Sequence, residues 1–85
     1  MKVIAHLGEP FWRAANTHEV SLMLRDDATV SDACDQLARL YPALDADLNH
    51  GETQPAIFVN DDQADRTTPL IEGAQLYLLW PVSGG

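Results

Sequence analysis

Basic residues are scarce in this chain: one lysine and four arginines stand against 13 acidic residues, for a formal charge of −8 over 85 residues. Such a surface repels the phosphate backbone that a nucleic-acid binder must neutralise, so nucleic acid is not an expected partner. The acidity favours solubility and can steer the chain toward a basic groove on another protein. Cysteine occurs once, at Cys34, which excludes an internal disulfide. The three histidines, His6, His18 and His50, fall in different segments without zinc-ligand spacing, so no structural metal is expected. Long apolar runs are also missing. The two longest, Ala56 to Val59 and Leu76 to Val82, are far below the roughly 18 to 20 residues of a membrane span, and the first residues lack a signal-peptide core. No membrane association is expected, and the expected location is cytoplasmic.

What is present suits one small folded unit. Apolar residues make up 46% and charged residues 21% of the chain, close to soluble globular averages, and 85 residues leave too few apolar side chains for a second core. A single domain over 1–85 follows. Lys2 to Leu7 alternates, with Val3, Ala5 and Leu7 on one side, and Glu19 to Leu24 repeats this with Val20, Leu22 and Leu24, so both are expected as half-buried strands. Gly8-Glu9-Pro10 and Ala14 to Thr17 carry loop signals around Phe11-Trp12-Arg13, which makes the connection longer than a tight hairpin.

The spacing of Val30, Ala33, Cys34, Leu37, Leu40 and Tyr41 predicts a helix with one apolar stripe, capped by Thr29, helped by Asp32 in its first turn and stopped before Pro42. Residues Ala43 to Pro55 are polar and aperiodic, with a turn at Asn49-His50-Gly51 and a short helical turn near Leu44 to Leu48 left open. Ala56 to Asn60 is expected as a strand, Asn60 to Gln63 as a turn and Ala64 to Arg66 as a brief edge strand. Pro69 to Gly73 turns the chain again, and Gln75 to Trp80 forms the last strand. The predicted fold class is α+β: a sheet of four to five strands with one main helix on one face.

The last strand runs straight into Pro81-Val82-Ser83-Gly84-Gly85. Pro81 removes a ladder donor where the sheet should stop, and two residues without side chains make a slender, flexible tail that can thread a narrow channel and offer its carboxylate to a partner. With glycine at about 7% of residues, two terminal glycines arise by chance in roughly 0.5% of chains. A chance ending is therefore a poor explanation for this one.

These residues carry a resemblance. Pro69-Leu70-Ile71-Glu72-Gly73-Ala74-Gln75-Leu76, the apolar strand and Pro81-Val82-Ser83-Gly84-Gly85 resemble the C-terminal third of the MoaD/ThiS sulfur-carrier family, above all its MoaD branch. Val59-Asn60 and Thr29-Val30 also resemble family positions. The sequence departs from the pattern over Gly8 to His18 and at Trp80, where a smaller residue or proline is common. The resemblance implies a β-grasp, ubiquitin-like fold and a carrier with no catalysis of its own. It implies that a ubiquitin-activating-type adenylating enzyme of the MoeB/ThiF kind, using ATP, activates Gly85. A sulfur donor then converts Gly85 to a thiocarboxylate, and a synthase such as a MoaE-like large subunit accepts the sulfur, in molybdopterin biosynthesis. A thiazole or other sulfur-transfer route is the alternative.

A ubiquitin-like modifier joined through Gly85 to target lysines shares the fold and the adenylation step. Lys2 is the single internal point at which it could link to itself. A β-grasp binding module with an idle tail is the third reading.

Other chemistry finds little support. Asn60 to Asp65 superficially suggests a calcium loop, yet Asp65 and Ile71 stand where the glycine and bidentate glutamate are needed. Asp32 and Asp35 are expected on a solvated helix face rather than as an acid pair, and Cys34 falls in the apolar stripe as a small buried hydrophobe. No nucleophile triad or phosphate loop is present, so no catalytic residue and no cofactor bound by this chain are expected. Phe11, Trp12, Tyr77 and Leu79 remain. If Leu76 and Leu78 face the helix, Tyr77 and Leu79 lie on the other sheet face, giving either an exposed partner interface or a patch covered by residues 8 to 18.

Overall fold

The computed structural model describes residues 1–51 and 54–81. Strand β1 (Lys2–Leu7) is followed by helix α1 (Phe11–Ala15), strand β2 (Glu19–Met23) and helix α2 (Val30–Leu40). A 3-10 turn (Pro42–Leu44), helix α3 (Asp45–Asn49) and strands β3 (Ala56–Val59), β4 (Asp62–Ala64) and β5 (Gln75–Leu79) complete the chain. The strands form one mixed sheet in the order β2-β1-β5-β3-β4. Its centre is the parallel pair β1 and β5, with Ala5 opposite Leu76 and Leu7 opposite Leu78. The other pairs are antiparallel.

Alternation decides which side of the sheet is buried. Val3, Ala5, Leu7, Val20, Leu22, Ile57, Leu76 and Leu78 form the inner face, and α2 covers them with Val30, Ala33, Cys34 and Leu37. Helix α2 begins as the sequence predicts: the Asp32 carboxylate accepts the Thr29 backbone N–H at 2.8 Å, satisfying a donor that the first turn leaves free. The open alternative at Leu44 to Leu48 resolves as the 3-10 turn and α3, and both leucines are fully buried. Arg66 fastens this segment, donating to the Leu48 carbonyl and, at 2.9 Å, to Asn49 Oδ1.

Two local expectations are corrected. The connection over residues 8 to 18 contains helix α1, which ends at Asn16 in the left-handed region (φ 57°), a conformation that asparagine tolerates. The edge strand is Asp62–Ala64 instead of Ala64 to Arg66. Asn60, also left-handed (φ 55°), completes the turn with Asp61, so Asp62 already pairs with Val59. The chain then leaves the ladder because Asp65 Oδ1 accepts the Thr67 N–H at 2.8 Å and its hydroxyl at 2.6 Å, which is turn chemistry. A mixed sheet whose last strand lies beside its first, grasping one main helix, is the β-grasp arrangement.

Candidate carrier tail and docking face

Strand β5 delivers the chain end. Because β1 and β5 are parallel, the segment after Leu79 emerges beside the segment after Leu7. There the Gly8 N–H donates to the Leu78 carbonyl at 2.9 Å, and the Trp12 N–H donates back to the Gly8 carbonyl at 3.1 Å. A Cβ on Gly8 would lie 2.9 Å from Leu79 Cδ2, so a side chain there would have to displace the end of the Leu79 side chain. Pairing ends at Leu79, Trp80 follows, and Pro81 can donate no hydrogen bond. Val82, Ser83, Gly84 and Gly85, the rest of the expected tail, lie outside the described residues.

The outer face of the sheet is uncovered by helix. Register places Glu19, His6, Tyr77, Phe58 and Gln63 in one row across all five strands. Its middle is aromatic: the Tyr77 ring stacks on His6 with centroids 4.6 Å apart, and His6 Nε2 lies 2.6 Å from Gln75 Oε1. Ile4 pairs with Gln75 and Ala56 with Leu79 on the same face. Leu79 is 37% exposed and Met23, at the rim, 68%. An aromatic and aliphatic surface rimmed by polar residues is the composition of a protein interface.

Of the four residues expected at that interface, Tyr77 and Leu79 lie on this face and Phe11 and Trp12 do not. Phe11 is fully buried, which removes it as a contact residue. It is the anchor of α1, and α1 packs against the 3-10 turn in the helical layer, so residues 8 to 18 do not cover the patch. Trp12 is half-buried against the core, with the His18 ring stacked 4.3 Å away and the Arg13 guanidinium 4.7 Å from its ring. Phe58, His6 and Ile4 take their place on the open face. The alternation of Ile4 and His6 against Val3, Ala5 and Leu7 was the signal for two of them. Phe58 sits in an all-apolar strand whose pattern does not assign a face.

The remaining candidates have structural roles. Cys34 is wholly buried, and burial, with Arg66 opposing it, pushes the thiol up to about 11, so it stays protonated and a poor nucleophile at neutral pH. Asp32 caps α2, and its carboxyl is held below the usual range first by the Thr29 N–H, with Arg25 adding attraction. Asp35 is exposed on the same helix. Asn60 to Asp65 is used up in the β3–β4 hairpin and its exit. No helix among the described residues is long and apolar enough to cross a membrane.

A β-grasp domain with this sheet order is ubiquitin-like. The sequence matches the ThiS family over residues 3–85, and the chain belongs to that family. Its structure is similar to that of SAMP1 from Haloferax volcanii, with 29% identity, full coverage of both chains and a TM-score of 0.85. It is similar also to small archaeal modifier protein 1 from Methanosarcina acetivorans, at 25% identity over 99% of this chain and 96% of that one, with a TM-score of 0.81. The protein–protein complex of subunits 1 and 2 of the molybdopterin-converting factor from Helicobacter pylori contains the same fold, at 24% identity, full coverage of both chains and a TM-score of 0.67. No curated protein matches the sequence significantly.

Proposed function

We propose that this protein is a sulfur carrier whose Gly85 carboxylate is adenylated by a partner enzyme and converted to a thiocarboxylate. The observation that supports this most is the family match, which continues through Pro81-Val82-Ser83-Gly84-Gly85. A carboxylate is a poor electrophile, so it must first acquire a leaving group. A Gly85 oxygen attacks the α-phosphate of ATP, pyrophosphate departs and an acyl-adenylate forms. A donor at the oxidation level of sulfide then attacks the carbonyl carbon, AMP leaves, and the thioacid is a sulfur nucleophile ready for transfer.

In this reading the chain supplies no catalytic group and binds no cofactor. ATP belongs to the adenylating partner, and the work is done in the cytoplasm. The open face of Tyr77, Phe58, His6 and Leu79 docks the partner while the tail enters its active site. Molybdopterin biosynthesis is the favoured pathway, with a large-subunit synthase as acceptor, in line with the subunit pair of the Helicobacter pylori factor.

The similarity to two small archaeal modifier proteins supports a second reading, conjugation of Gly85 to target lysines. Mass spectrometry of the protein isolated from its own cells separates the two. Sulfur in place of one terminal oxygen supports the carrier, and a Gly85 isopeptide on a foreign lysine supports the modifier. Deletion of Gly85 should abolish either product while leaving the fold intact. An undiminished product in the truncated chain would overturn both.

A further inference from the structure

Trp80 is 44% exposed, immediately after the last strand, with its ring 6.1 Å from that of Phe11 and tilted by 51°. Phe11 itself is inaccessible, so the indole rests on a fixed support. The support is in turn tied to the strand end through Gly8, whose N–H bonds the Leu78 carbonyl and whose carbonyl accepts the Trp12 N–H. The indole is thus a half-exposed apolar surface resting against Phe11 just after the last strand, on the helical side of the sheet, while Leu79 occupies the opposite side.

Only five residues separate Trp80 from the end of the sequence. A fully extended chain covers at most about 3.3 to 3.6 Å per residue, so an enzyme that takes up the Gly85 carboxyl must come within roughly 18 Å of Trp80. An active site that encloses this carboxyl brings the enzyme surface around its entrance close to the indole. We propose that Trp80 is a specificity-determining contact residue, inserted at the entrance of the tail channel of the adenylating enzyme and oriented by Phe11. The inference rests on the reading that Gly85 is adenylated. It adds a recognition element on the helical side of the sheet, apart from the open face. A rigid indole loses little conformational freedom on binding, and tryptophan is among the residues on which interfaces depend most.

The test uses ATP–pyrophosphate exchange by the MoeB/ThiF-type enzyme of the same genome, with the full-length protein as the varied substrate. Trp80→Ala should raise KM about tenfold or more, as expected for an interface hot spot, and leave kcat within about twofold. Trp80→Phe should recover most of the loss. In the unaltered protein, the indole N–H resonance of Trp80, assigned by its disappearance in Trp80→Phe, should shift or broaden when the enzyme is added. An unchanged KM in a folded Trp80→Ala protein, or an unmoved indole resonance at saturating enzyme, overturns the inference. Absence of exchange with the unaltered protein removes the carrier reading itself, and the inference with it.

Discussion

Tyr77 lies almost flat on His6, 12° from parallel, although the two residues belong to strands from opposite ends of the chain. The contact exists because β1 and β5 are parallel neighbours in register, and Phe58 flanks Tyr77 on the other side. These three rings lie where no helix packs, so losing one should affect recognition more than folding. Tyr77→Ala and Phe58→Ala are each expected to weaken binding to the proposed adenylating partner by about tenfold, as for aromatic hot spots, with thermal unfolding little changed. Calorimetric titration of each variant against the enzyme checks this. Equal affinities would move the docking surface elsewhere.

The buried residues should respond in the opposite way. Leu76 and Leu37 are fully enclosed between β5 and α2. Truncating either to alanine should cost about 2 to 5 kcal/mol through lost transfer energy and a residual cavity. Urea unfolding measures it directly, and for a domain of this size that loss is a large part of total stability.

Cys34 should be silent toward thiol reagents. With burial holding it protonated up to about 11, alkylation by iodoacetamide at pH 8 should be slow in the folded protein and fast after denaturation, following the opening of the core. Modification at the rate of an exposed thiol would contradict its burial.

Acid stability should depend on the α2 cap. Hydrogen bonding holds the Asp32 carboxyl lower in the folded than in the unfolded chain, so the folded state gains stability above the unfolded pKa. That gain is lost as pH falls through the folded value. Melting temperatures measured from about pH 6 downward should therefore drop more steeply for the natural protein than for Asp32→Asn, with the curves converging in strong acid. Parallel curves would show that the cap carries no linkage.

Arg66 joins the loop after β4 to the end of α3 through neutral acceptors, the Leu48 carbonyl and Asn49 Oδ1. Arg66→Met keeps the aliphatic stem and removes those bonds. It should destabilise by about 1 to 3 kcal/mol, the range for hydrogen bonds to a charged donor. The loss measured by urea unfolding should persist at high salt, since no opposite charge is being screened.

How far the sequence carried the fold depended on whether each signal was local. Thr29, Asp32 and Pro42 mark the ends of α2 within a few residues of chain, and the alternation in β1, β2 and β5 names their buried sides without help from elsewhere. Helix α1 was hidden because its five residues are flanked by Gly8-Glu9-Pro10 and Asn16, all loop signals. What holds it is tertiary, the burial of Phe11. For the same reason Phe11 and Trp12, conspicuous in the sequence, pack with the core instead of joining the open face. Phe58 went unnoticed because Ala56-Ile57-Phe58-Val59 has no polar residue to set its phase, and only pairing with Tyr77 reveals which way it points. The tail is a different case: Val82-Ser83-Gly84-Gly85 lies outside the described residues, so the expectation placed on it rests on the sequence alone.

The parallel pairing of β1 with β5 also places the only lysine usefully. Lys2 begins β1, so its exposed side chain lies at the opposite end of the sheet from Trp80, a strand's length of roughly 20 Å away. Its partner across the ladder is Met23, so a dye attached through that amine would sit at the rim of the open sheet face and report on a partner that docks there.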